Sequence, residues 1–159
     1  MAFDPASKKS TPWLQTSFNE GEARFSPDGR WVAYVSDQTG RFEVWARPYG
    51  TTGSPVRVSS DGGHEPAWSH DGRTIFYHAG SKMMGASFQV SSAGGAAGPP
   101  RVLFDGGFLP YNIIYRRTYD VLPDGNFVVI QRVRPVVPQS FVVVLNALRP
   151  LRNPSPVVP

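Results

Sequence analysis

The chain has 159 residues, 40% of them hydrophobic and 13% aromatic, with a formal net charge of +4 at pH 7; this is the size and composition of one folded domain and excludes a disordered polyelectrolyte. The absence of cysteine excludes disulfides and thiolate metal sites. No apolar run is long enough to span a membrane, and the thirteen arginines and three lysines are dispersed instead of clustered among aromatic platforms, so neither a membrane nor a nucleic acid is expected as a partner.

Residues 1–10 carry Lys8 and Lys9 with no apolar stretch behind them, which reads as a flexible amino-terminal tail and not as a secretory signal. That predicts a cytoplasmic location for the chain as given, or a periplasmic or extracytoplasmic one if it is a fragment of a larger exported protein. The first strand signal is Trp13-Leu14-Gln15, within an expected strand over 11–16. Next comes a phrase that recurs three times: Ser26-Pro27-Asp28-Gly29, Ser69-His70-Asp71-Gly72 and Leu122-Pro123-Asp124-Gly125. Proline pre-sets the second turn position, aspartate bonds its own backbone, and glycine accepts the left-handed conformation that ends the turn.

Aligned on these turns, Glu22 to Val35 lies over Glu65 to His78 and, more loosely, over Thr118 to Gln131. Strand-like runs rich in β-branched and aromatic residues follow each turn, at Trp31 to Val35, Ile75 to Tyr77 and Phe127 to Ile130. Third strands are expected at Phe42 to Arg47, Met83 to Val90 and Phe141 to Leu145, and fourth strands at Val56 to Ser59 and Arg101 to Phe104. With no sustained 3.6-residue apolar period, the chain reads as all-β. A period of about 40 to 50 residues marks a repeat architecture. The expected units are 22–59, 65–104 and 117–146, the last with three strands, followed by a proline-rich tail over 149–159.

These segments resemble TolB-type six-bladed β-propeller repeats, and more narrowly the carboxyl-terminal propeller blades of bacterial receptor-type serine/threonine kinases. The resemblance covers roughly residues 11–148 and implies a β-propeller of four-stranded antiparallel blades, three per chain, or half of a six-bladed ring. The sequence has no glycine-rich phosphate loop and no His-Arg-Asp segment, so the likeness implies no kinase chemistry. Three blades leave two sheet faces bare. The expected remedy is a homodimer in which Trp13, Leu14 and Gln15 of one copy complete the last blade of the other, beside Phe141, Val143 and Leu145, in a closed two-fold exchange.

Candidate ligand positions gather on the face opposite the Asp-Gly turns. Glu22 and Glu65 occupy one repeat position at the start of the innermost strand, with His64 beside Glu65 and Asp120 nearby in the third copy. Their carboxylates suit a cation or a basic peptide end, or else they bond backbone or an arginine of a neighbouring blade. The long link 105–117 adds Tyr111, Tyr115, Arg116 and Arg117, a composition found in binding hot spots and also in subunit seams. Ser69-His70-Asp71 cannot form a catalytic triad, because neighbours on one tight turn cannot take up the serial geometry. No catalytic residue, metal or cofactor is expected. The reading is a non-catalytic binding or scaffold module that takes itself, and a protein or peptide, as partner. The alternatives are a regulatory or gating fragment of a kinase or prolyl-peptidase-like enzyme, and a propeller hydrolase using channel carboxylates.

Overall fold

The computed structural model describes residues 1–50, 52–106 and 117–130, and among them every regular element is an antiparallel β-strand. Strands β1 (Ala2–Asp4) and β2 (Lys9–Thr11) form a hairpin. Strands β3 (Glu20–Phe25), β4 (Trp31–Ser36), β5 (Glu43–Pro48) and β6 (Val56–Arg57) form a first sheet in chain order. A second sheet begins with β7 (His64–Trp68), β8 (Thr74–Ala79) and the long β9 (Lys82–Ser91). The last four residues of β9 pair with β10 (Gly94–Ala97), and its first four pair with β11 (Arg101–Asp105). Strands β12 (Tyr119–Val121) and β13 (Phe127–Val129) form a third, two-stranded unit.

Two apolar layers join these units. Trp31, Ala33, Val35, Val44, Ala46 and Val58 of the first sheet pack with Ile75, Tyr77, Ala86 and Phe88 of the second. Ala67 and Met83 of the second sheet, flanked by Phe76 and Leu103, pack with Tyr119, Val121, Phe127 and Val129. Strand alternation explains the sharing: Ile75 and Tyr77 leave β8 on one side and Phe76 on the other, so the middle sheet is buried on both faces.

The turns follow the residue logic of the sequence, with one consequence that the alignment missed. The Ser26 hydroxyl donates to Asp28 Oδ1 (2.6 Å) and accepts the Trp31 N–H (2.9 Å), while Asp28 Oδ1 also takes the Arg30 N–H (3.1 Å) and Gly29 adopts φ 70°. Ser69 and Asp71 repeat this with Thr74, Arg73 and Gly72. Leu122 has no hydroxyl, and its N–H pairs with Asn126 O, four residues on, where Ser26 N–H pairs with Trp31 O, five residues on. The third loop is thus one residue shorter, and a one-residue slip exchanges the two faces of a strand. Phe127 and Val129, not Val128 and Ile130, therefore stand where Ile75 and Tyr77 stand in β8. Val128 and Ile130 are 57% and 51% exposed.

Two expectations need correction. The segment 1–10, expected as a flexible tail, holds the β1–β2 hairpin, in which Asp4 accepts the Ala6 N–H (2.9 Å) and the Ser7 hydroxyl (2.6 Å). Within one chain Trp13, Leu14 and Gln15 pair with no strand, and Trp13 lies edge-on to Tyr34 at 5.8 Å between ring centres. No strand was expected between the third strand ending at Val90 and the fourth beginning at Arg101, yet β10 lies there, and its Gly95 passes directly over the Trp31 ring. The third-strand residues Phe141, Val143 and Leu145 and the tail 149–159 lie outside the described residues.

A Cβ at Gly95 would stand 2.4 Å from Trp31 Cη2 and 2.8 Å from Phe88 Cζ, both in the core between the sheets. Gly95→Ala is therefore expected to cost about 1–3 kcal/mol through overpacking, read as a lower urea midpoint at unchanged m-value.

Candidate functional site

The edge strands β3, β7 and β12 lie side by side, and the contacts between them define the candidate site. Glu22 and Glu65 both have left-handed backbones, at φ 56° and 53°, where the ladder slips between Gly21 and Arg24 and between His64 and Ala67. Such a bulge leaves one residue outside the ladder, and its N–H must find an acceptor elsewhere. The preceding unit supplies it: Glu22 Oε2 accepts the Glu65 N–H at 2.5 Å. One unit further, Glu65 Oε2 accepts both the N–H and the hydroxyl of Thr118, at 2.6 and 2.8 Å. Residues 22, 65 and 118 occupy the same repeat position, so each carboxylate grips the equivalent backbone of the next unit.

Two further bonds reinforce these joints. The Trp68 indole N–H donates to Arg24 O (3.1 Å), and the buried Tyr119 hydroxyl donates to Glu65 O (2.6 Å). Burial and the nearby Glu65 carboxylate push the Tyr119 hydroxyl well above the ordinary tyrosine range, so it stays a donor.

Glu65 is only 6% exposed. Burial pushes its carboxyl up, but the His78 imidazole and the two Thr118 donors outweigh this and hold it below the ordinary glutamate range. His78 Nε2 lies 3.6 Å from Glu65 Oε1, and His64 Nδ1 lies 3.5 Å from Glu22 Oε1. The two histidines face each other across the β7–β8 ladder, with ring centres 6.0 Å apart. Sequence reasoning selected His64 from its neighbour Glu65; His78 needed the ladder register to bring it to the same carboxylate.

Glu22, His64 and Glu65 line one cleft of about 460 Å3, together with Asn19, Glu20, Arg24 and Phe42. Asp120 and Arg117 are elsewhere. They line a separate groove of about 250 Å3 with Arg24, Ala67 and His70, and Arg117 Nη2 lies 2.5 Å from Asp120 Oδ1. Tyr111, Tyr115 and Arg116 lie outside the described residues.

Sequence reasoning missed a second buried carboxylate. Glu43 is fully enclosed and accepts from Arg41 Nε (2.9 Å), Arg57 Nη2 (2.6 Å), the Gly62 N–H (3.1 Å) and the Ser59 hydroxyl. Burial pushes its carboxyl up, and these donors, Ser59 foremost, more than reverse that. Arg41 also reaches Ser60 O and Asp61, so the network ties the links 37–42 and 59–63 together. A glutamate in the apolar run Phe42 to Trp45, with arginines on both sides, was the available signal. Among the described residues no group of three or more acidic or histidine side chains is arranged to hold a metal.

No protein-family model and no curated protein matches the chain. The arrangement itself shows what these carboxylates do: they accept backbone hydrogen bonds between units.

Removing the Glu65 side chain strands a buried N–H. Glu65→Ala is expected to cost roughly 2–4 kcal/mol, and Glu65→Gln less, because its amide oxygen still accepts from Thr118. Since the folded carboxyl titrates below its ordinary value of 4.5, its contribution is full above that pH and is lost as the pH falls through the folded value. Acid unfolding followed by circular dichroism should therefore show a shallower acid limb in Glu65→Gln than in the wild type.

Proposed function

We propose that the three units are consecutive blades of a TolB-like β-propeller, and that the chain is a non-catalytic scaffold or binding module whose ring is completed by a second copy. The observation that carries this reading is the repetition of one joint. Glu22 grips residue 65, and Glu65 grips residue 118. Equivalent joints at one repeat position favour the same rotation from unit to unit, as a ring around a channel requires.

The same contacts support a scaffold over a hydrolase. Both candidate carboxylates spend an oxygen on backbone N–H groups, and Glu65 is enclosed, whereas a general acid or base must reach substrate. The cleft lined by Glu20, Glu22, Phe42 and His64 remains the place for a partner's basic group.

The position of Trp13 supports completion by a second copy. On the covered side of the first joint, Val56 and Val58 at the outer strand of the first sheet share a cluster with Tyr77 of the second. Tyr34 occupies the repeat position of Tyr77, and Trp13 packs on Tyr34. Trp13 thus lies where the outer strand of a preceding blade would lie, against the face of the first sheet turned away from the second. A partner's last blade would pair with 13–15 there. Light scattering at micromolar concentration is expected to give twice the 17.4 kDa chain mass; a monomeric mass would remove the two-copy ring.

A further inference from the structure

Resting on the two-copy ring proposed above, we infer that the seam between copies is held by an ion pair between Asp120 of one copy and Arg24 of the other. Arg24, Ala67 and Asp120 are successive occupants of one repeat position, two residues beyond the 22–65–118 joint, and all three line one groove. Continuing the same rotation into a second copy brings the next occupant, its Arg24, beside Asp120. Opposite charges meet at the seam, where the two joints inside the chain have none at this position.

Asp120 is suited to this. Its Oδ1 takes both Arg117 and the Val121 N–H, and its side chain is 64% exposed. Arg24 donates only to the neighbouring Ala23 O (2.9 Å) among the described residues, so its guanidinium retains donors for a carboxylate. The ion pair also answers an asymmetry in the joints. Position 118 carries threonine, whose hydroxyl is already given to Glu65, so the seam lacks the carboxylate grip found at the other two joints.

Phe25, next to Arg24, carries an independent sign of a missing partner. It is 56% exposed, although its repeat equivalent Trp68 is packed against Phe88 and bonded to the preceding unit. A second copy presenting its own last unit supplies apolar cover for it.

The test is a charge exchange read as the dimer dissociation constant by sedimentation. Arg24→Asp and Asp120→Arg each place like charges at both seams and are expected to weaken the dimer about tenfold or more. The double variant restores opposite charges and is expected to return to within about threefold of the wild type. Single variants with no effect, or a double variant showing the product of the two single losses, overturn the ion pair while leaving the ring standing. A wild type that is monomeric throughout overturns the ring and this inference together. If either reversal prevents folding by circular dichroism, Arg24→Gln and Asp120→Asn serve in its place: each should weaken the dimer, with a combined loss no greater than either alone, and additive losses overturn the pair.

Discussion

The capture of one backbone N–H by the carboxylate of the preceding unit is the constraint on which the rest depends. A bulge at residues 22 and 65 twists the first strand of each sheet and expels an N–H from the ladder. In isolation that would be a defect, combining left-handed strain with an unpaired donor. Placed in series it becomes a joint, because the side chain of each bulged glutamate reaches the backbone N–H at the equivalent position of the next unit. The apolar layers supply most of the free energy of association between units. The carboxylates, directional and short, set the register in which those layers meet.

Polar groups buried at these joints account for the charge placement nearby. Glu65 and Glu43 are both enclosed, and each stays ionised because several donors converge on it. The Glu43 network fastens the links at one end of the first sheet, while the serine and aspartate turns fasten the other. Between these ends Trp31, Ala33, Val35, Val44 and Ala46 of the first sheet meet Ile75, Tyr77, Ala86 and Phe88 of the second. Beside these joints lie two polar recesses, the cleft around Glu22 and His64 and the groove lined by Arg24, Arg117 and Asp120.

Much of this was legible in the residues. The turn phrase located the hairpins because proline, aspartate and glycine each have a stereochemical reason to be there, and the shared position of Glu22 and Glu65 was visible from alignment alone. Their purpose was not. A glutamate beginning a strand reads equally as a ligand group or a bond to backbone, and only the proximity of residues 22 and 65, forty-three positions apart, decides between them. The third copy misled for a specific reason. Replacing Ser26 and Ser69 by Leu122 removes a hydroxyl that holds one more residue in the loop, and the resulting slip exchanges the faces of β13. Strand β10 escaped notice because Gly94, Gly95 and Ala97 have poor strand propensity; Gly95 is there because nothing larger fits over Trp31.

Local chemistry thus determined the all-β class, the hairpins and the repeat, since turn type and strand alternation depend on residues only a few positions apart. What tertiary structure alone decided was how the units meet: which carboxylate finds which backbone, which face of β13 is inward, and where Trp13 comes to rest. Those outcomes depend on groups separated by tens of residues, which share no local signal and acquire their roles only when burial makes an unpaired donor costly.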